Sequence, residues 1–378
     1  MNIAIGLIAT IATAVASTAA VADVEPQHLT VKPAIDPGPN VFTLRQEWQG
    51  PSSVDVFSAD DLTYKGNMSS GMAAQMAVSP DGKTVYVASQ YLKRLAYGPA
   101  EVILQTYDVA TLSPLKEIPL VPKLINTTAY QQIVAQSADG RYIYVQNTTP
   151  ATSVTVVDLS AGKVAAEIPG PGCLGIFPAL QGSDFTTICG DGTFAKFTLK
   201  AKGAGADHMQ SGKIFDVDKD PLFLHGVRAG KDLVFVSYHG TIYRVNDSDA
   251  TPRLVETTSL VEGLSGNWAP GGYQLIAYNK ANDVLFIGMH PDAKDGSHKT
   301  PATEIWAYNL GARKLLFRST VDNVIGFNVT DGARPIIYGN NDKVLLRYEV
   351  DPEAKFALRK TAQAFNEQKY SAEVVVRP

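Results

Sequence analysis

The chain has 378 residues, 45% of them hydrophobic and 19% charged, with a formal net charge of -4. This is a normal globular composition with ample length for a large core, and the slightly acidic balance excludes the basic footprint of a nucleic-acid binder. The 31 glycines and 22 prolines suit a turn-rich fold, and the many aromatic and β-branched residues suit strands.

Residues 1–22 read as an export signal. An uncharged apolar run covers residues 3–16, and Ala20-Val21-Ala22 is a small-x-small cleavage site that leaves Asp23 as the first mature residue. No Lys or Arg precedes Lys32, so the α-amino group alone supplies the positive end. The competing reading is an amino-terminal anchor, but the run is short and interrupted by Thr and Ser. No later stretch resembles a membrane span. Residues 23–40, with Pro26, Pro33, Pro37 and Pro39, read as an extended arm.

From residue 41 onward one pattern repeats: an alternating strand, a tight Asp-Gly-like turn, a returning strand, and a third strand ending in an Asp-containing turn. The first copy runs through residues 74–78, the turn around Asp81-Gly82, residues 84–88, 102–107 and 115–120. The second runs through residues 132–136, the turn Asp139-Gly140, then 142–146, 153–158 and 164–168. Four weaker copies cover residues 176–199, 222–257, 273–321 and 326–360. Four strands per period of about 45–50 residues is the signature of a propeller. Strand candidates are left over at the front (residues 41–48, 53–57 and 63–65) and at the back (residues 372–377). A seventh blade built from both ends removes the open edges. The expected fold is all-β, a seven-bladed β-propeller over residues 41–378 closed by amino- and carboxy-terminal strands. A β-sandwich pair is the weaker alternative.

Cys173 and Cys189 are the only cysteines. In an exported chain they read as one disulfide pinning a single repeat. The chemical census is otherwise sparse. The histidines His28, His208, His225, His239, His290 and His298 show no metal-ligand spacing and read as packing or surface groups. Asp81, Asp139 and Asp331 precede Gly in turns, and no Gly-x-Ser-x-Gly elbow occurs. Gly170-Pro171-Gly172 and Gly271-Gly272 are turn glycines that open no helix. Trp48, Trp268 and Trp306 are expected between blades. On the residues alone the chain is an exported propeller with one disulfide, and fold does not decide function.

Two blocks carry more than repeat grammar: Asn267-Trp268-Ala269-Pro270-Gly271-Gly272-Tyr273, and Met289-His290-Pro291-Asp292 running through His298-Lys299 to Trp306. With Gln146-Asn147 and Thr187-Ile188-Cys189-Gly190-Asp191-Gly192, the sequence resembles the large (heavy) subunit of quinoprotein amine dehydrogenases. It looks closest to the aromatic (aralkylamine) type, with the methylamine type more distant. The resemblance implies a periplasmic assembly of two large and two small subunits. The small subunit carries tryptophan tryptophylquinone, oxidises a primary amine to aldehyde and ammonia, and passes electrons to a blue copper protein, azurin or amicyanin. It implies no catalytic residue, metal or cofactor on this chain and a structural disulfide between Cys173 and Cys189. It also implies a substrate channel walled by Met72 and Ala73, where relatives place an aromatic residue, with Asn147 as a further channel residue. Met at that position suggests a pocket tolerant of bulky or long-chain amines. For Asn147 a hydrogen bond to the neighbouring turn is the competing role. From a different functional class, the alternative is a stand-alone exported propeller that binds a ligand or partner without enzymatic activity.

Overall fold

The repeats form seven antiparallel sheets among the residues that the computed structural model describes, which are 32–95, 97–366 and 373–378. The export signal, His28 and Ala372 lie outside those residues. Blade 1 orders Val374–Arg377, Asn40–Arg45, Ser52–Ser58 and Tyr64–Ser70 from the inside outwards. Blade 2 is Met72–Val78, Thr84–Leu92, Ala100–Asp108 and Ser113–Pro119. Blade 3 is Val134–Gln136, Tyr142–Asn147, Ser153–Asp158 and Lys163–Pro169. Blade 4 is Cys173–Pro178, Phe185–Cys189, Phe194–Leu199 and Ala206–Gln210. Blade 5 is Val227–Ala229, Asp232–Val236, Thr241–Asn246 and Arg253–Ser259. Blade 6 splits its inner edge into Ala269–Pro270 and Ile276–Asn279 before Val284–His290, Ala302–Asn309 and Lys314–Val324. Blade 7 is Gly326–Val329, Ile336–Asn340, Val344–Asp351 and Ala357–Phe365.

The expected seven-bladed propeller is therefore what the chain forms, and its ring is closed from both ends. Val374, Val375 and Val376 pair antiparallel with Thr43, Phe42 and Val41. The carboxy-terminal strand thus becomes the innermost strand of a sheet whose other three strands come from the front. Strand limits shift slightly from expectation. The first strand of blade 4 begins at Cys173, three residues before the expected Ile176, and residues 273–275 of blade 6 fall between its two short inner pieces.

Why second strands are buried almost throughout, and read as apolar runs in blades 5 and 6, follows from where they lie. Each faces a neighbouring blade on both sides. In blade 2, Val85 and Val87 pack toward blade 1 with Phe42 and Val54, while Tyr86 and Ala88 pack toward blade 3 with Ile143 and Val145. In blade 6, Leu285 and Ile287 join Val234 and Val236 of blade 5, while Val284 and Phe286 join Phe327 and Ile337 of blade 7. Period-two alternation thus sends successive side chains into opposite interfaces. Outer strands such as Ser113–Pro119 and Arg253–Ser259 are mostly exposed and polar, which blunts the sheet edges.

The turns repeat their chemistry. Ser79 Oγ donates to Asp81 at 2.6 Å and accepts the Thr84 N–H at 3.0 Å, while the Lys83 N–H reaches Asp81 at 3.1 Å. Ser137, Asp139, Arg141 and Tyr142 reproduce this arrangement in blade 3. Gly82 and Gly140 adopt φ of 69° and 71°, the left-handed region that glycine tolerates.

The axis of the ring is closed by glutamines. Residues 121–133, between blades 2 and 3, cross toward the centre. There the Thr127 carbonyl accepts from Gln46 Nε2 and Gln75 Nε2, each at 3.0 Å. Gln131 Nε2 donates to Val374 O at 3.1 Å and Gln132 Nε2 to Gly226 O at 3.1 Å. Gln274 donates to the Val374 carbonyl and accepts its N–H, both at 2.8 Å, as a strand residue would. These amides satisfy buried main-chain groups that the splayed inner strands leave without a strand partner.

Cys173 and Cys189 form the expected disulfide and face each other in register on adjacent strands of blade 4. The bond closes a 16-residue separation. Replacing both residues (Cys173→Ser with Cys189→Ser) is expected to lower unfolding stability by about 3 kcal/mol on the chain-entropy account; an unchanged denaturant midpoint would contradict it. A second expectation concerns His225, which is 2% exposed and whose burial pushes its pKa from 6.5 down to about 3. The unfolded chain protonates this group below pH 6.5 while the fold keeps it neutral. Its contribution is therefore complete above pH 6.5 and is lost as pH falls toward 3. We expect His225→Gln to lose less stability than the wild type across that window in urea titrations, and parallel pH profiles would refute this.

Candidate functional site

The propeller has two unlike faces. One carries the short turns between first and second strands, such as Asp81-Gly82, and is called the turn face. The other carries the connections between blades and the loops between second and third strands, and is called the loop face. Strand direction puts Met72, Ala73 and Asn147 all at the loop face. Met72 starts the inner strand of blade 2, and Asn147 ends the second strand of blade 3.

Met72 is held in a tightly specified stretch. A Cβ on Gly71 would lie 2.5 Å from the Gln90 carbonyl, so only glycine fits there. The Gly71 N–H is taken by Ser89 Oγ at 3.0 Å. Ala73 is fully buried, has φ of 52°, and donates its N–H to Glu47 O at 2.7 Å. The strand register slips between Met72, opposite Gln90, and Gln75. This bulge turns the half-buried Met72 side chain toward a cavity of about 190 Å³ between blades 1 and 2, lined also by Pro51, Tyr91, Leu92 and Leu95. The hairpin above it carries Leu95 and Tyr97, 87% and 71% exposed.

Asn147 is not brought to that cavity. Its side chain is buried and donates to Ser153 Oγ at 3.1 Å and Thr155 Oγ1 at 2.9 Å, both on the next strand of blade 3.

The two long distinguishing blocks come together on the loop face of blade 6. Ala269 and Pro270 pair with His290 and Met289, Gly272 N–H donates to His298 O at 3.1 Å, and Asn267 Nδ2 donates to Ala293 O at 2.6 Å. His298 stacks on Tyr238 with centroids 4.4 Å apart, and Phe223 packs against Tyr238 at 4.6 Å. Burial, with Lys299 adding to it, pushes His298 below its ordinary value, so the stacked ring is neutral at pH 7. Tyr130, on the segment crossing the axis, packs on Tyr273 at 6.1 Å. Beside these, the Arg318 guanidinium lies 4.2 Å from the Trp268 ring and 4.6 Å from the Trp306 ring, held by Glu304, which also accepts Trp306 Nε1–H at 2.6 Å.

Several of these groups were not apparent in the sequence. Trp306 is fully buried as expected, but Trp48 and Trp268 are only half-buried, because each lies in a loop-face connection instead of a second strand. Nothing in the repeat pattern marked Tyr130 or Gln131, since the segment holding them lies between two copies, and Gln46, Gln75, Gln132 and Gln274 carry no local sign of their axial role. Among the described residues no group of three or more His, Cys, Asp or Glu side chains is placed to hold a metal ion. No helix there is long and apolar enough to cross a membrane.

Fold and loop blocks together define the class: a seven-bladed propeller whose distinguishing residues gather on its loop face. The family model for the methylamine dehydrogenase heavy chain matches residues 53–364, and the chain belongs to that family. It is similar to the methylamine dehydrogenase heavy chain of Methylorubrum extorquens, at 27% identity over 311 residues covering 79% of this chain and 73% of the relative. The Methylophilus methylotrophus heavy chain is 23% identical over 303 residues, covering 78% and 74%. In three dimensions the chain is similar to a periplasmic gluconolactonase of Pseudomonas aeruginosa, with a TM-score of 0.63 and 13% identity over 90% of this chain and 99% of the other. At that identity the likeness concerns the fold alone.

The left-handed backbone at Ala73 generates an expectation. Ala73→Gly should leave unfolding stability within about 1 kcal/mol, whereas Ala73→Val should cost about 1–3 kcal/mol because a β-branched residue is strained at positive φ. Equal midpoints for the two variants in urea would show that the bulge relaxes freely.

Proposed function

We propose that this chain is the non-catalytic large subunit of an exported amine dehydrogenase. It holds a small partner chain that carries tryptophan tryptophylquinone, in an assembly of two large and two small subunits. The observation that carries this reading is the family match across residues 53–364 on a closed propeller. Held on the partner, the quinone would supply the redox chemistry by which a primary amine and water become aldehyde, ammonia and two protons, with the two electrons leaving singly for a blue copper protein, azurin or amicyanin.

This chain's own residues bind and orient. Met72 and the backbone at Ala73 wall the amine entrance, and their apolar neighbours Pro51, Leu92 and Leu95 favour a hydrocarbon or aromatic substituent over a bare methyl group. A flexible thioether leaves room where an aromatic ring would narrow the passage. Asn147 acts one step back: its hydrogen bonds to Ser153 and Thr155 stiffen the loop-face end of blade 3. The substrate class read from this pocket is an aromatic or otherwise bulky primary amine.

Purifying the native complex and staining a denaturing gel for quinone tests the assembly. Two chains with stain on the small one are expected, and a single unstained band with no amine turnover would favour a stand-alone binding propeller. Within the complex, Met72→Phe is expected to lower kcat/KM for a bulky arylalkylamine relative to methylamine by about tenfold or more. An unchanged ratio would remove Met72 from the channel.

A further inference from the structure

A cavity of about 740 Å³ lies on the axis, open at the turn face and floored by the glutamine cluster. Its floor holds Gln131, Gln132, Gln274 and His225, and its mouth is formed by Pro80, Pro178, Tyr278 and Asp331. It is thus at the other end of the strands from Met72. Nothing in the reading of the loop face uses it.

Two polar groups in its wall are left incomplete. Arg377, on the ring-closing strand, is largely buried, and among the described residues no carboxylate lies within 4 Å of its guanidinium. Its Nη1 donates to its own neighbour's carbonyl, Val376 O, at 3.0 Å, and its Nε has no partner. Asp331 acts on it electrostatically, but Asp331 is exposed at the rim, where water screens it. The cavity's other arginine, Arg228, differs. It is engaged by Asp247 through both terminal nitrogens and by Pro178 O at 2.7 Å. At the floor Gln132, 6% exposed, uses its Nε2 on Gly226 O while its Oε1 accepts nothing.

A buried cation without a counter-charge and a buried amide oxygen without a donor are each costly. Both costs fall if a molecule in the cavity supplies an anion to the guanidinium at one end and, once the now covered amide oxygen turns toward it, a hydroxyl donor at the other. We infer that the axial cavity binds a small hydroxylated carboxylic acid, its carboxylate at Arg377 and a hydroxyl directed at Gln132. Arg228 adds no net charge, because Asp247 cancels it. The neutral His225 imidazole accepts the Ile276 N–H through Nδ1 at a long 3.5 Å, which leaves Nε2 as the protonated ring nitrogen. Arg377 is therefore the one cation of the wall without a paired carboxylate, with Asp331 at the rim as the opposing charge, and a ligand with a single carboxylate is the one this arrangement suits.

Calorimetric titration of the purified protein, together with any partner chain it retains, tests this with four probes. Sodium gluconate carries both features, glucitol lacks the carboxylate, hexanoate lacks the hydroxyls, and inorganic phosphate is an anion without carbon. Gluconate is expected to bind one site per chain at least tenfold more tightly than the other three. Arg377→Gln is expected to weaken gluconate at least tenfold while leaving glucitol unchanged. Should that variant fail to fold, Gln132→Glu places a second carboxylate in the same cavity and is expected to weaken gluconate by a similar factor. Absence of gluconate binding, equal binding of phosphate, or full retention of gluconate affinity in whichever variant folds would overturn the inference. None of these readouts depends on amine oxidation, so the result stands apart from the test of the loop face.

Discussion

The structure depends on the two-sided burial of seven second strands. A strand such as Val284–His290 has no solvent face at all, so its apolar side chains are shared between two blade interfaces. Each interface is therefore a wedge of side chains contributed by two sheets, and the last wedge forms only if the circle closes. Tyr338 and Leu345 of blade 7 meet Val41 and Phe57 of blade 1 there, with Val374 and Val376 between them. Removing the carboxy-terminal strand would strip the inner edge from blade 1 and open that wedge. Closure is in this sense a packing requirement before it is a topological one.

Radial order follows from the same constraint. Inner and second strands are used up by packing, which leaves the outer strands to meet water. There charges are arranged in chains, as where Glu256 meets Arg244 on its own blade and Arg313 of the next blade. Partly exposed pairs of this kind contribute little stability, on the order of 0–1 kcal/mol each. Their charge does keep the outermost strands from pairing with other chains. What remains free for specialised work is the two faces and the axis. The candidate substrate residues, the two long family blocks and the aromatic cluster all fall on the loop face, where connections are long enough to carry them. The turn face carries short turns, of which those of blades 2 and 3 are Ser-x-Asp-Gly.

The sequence revealed the repeat, its seven-fold count and the closure because these rest on period-two alternation and on turn residues, both local signals. The disulfide was legible because two cysteines admit one pairing. Strand limits were less legible at Cys173 and around residues 273–275, where glycines and a split inner edge blur the alternation. The site was legible only in outline. Met72 and Ala73 could be placed on an edge, but their bulge arises from Gly71 pressed against the Gln90 carbonyl, a contact 19 residues apart that no local pattern encodes. The Trp268–Arg318–Trp306 stack and the axial glutamines are likewise products of tertiary approach. Gln274 and Val374, which bond twice, are 100 residues apart.

The ring-closing strand links the two ends of the molecule. Val374 receives the glutamines that floor the axis, and three residues later Arg377 enters the cavity beneath them. Gly82 of blade 2 lies against Arg377, and a Cβ there would come within 3.0 Å of it, so the neighbouring turn is shaped to let this strand pass. A strand that served closure alone could end in any apolar residue. Placing a guanidinium in its last turn of contact, with most of its surface buried and no carboxylate beside it, works against closure unless something else offsets the charge. That imbalance sets Arg377 apart from other interior charges such as Asp232 and Asp247, which are matched by arginines on their own blade.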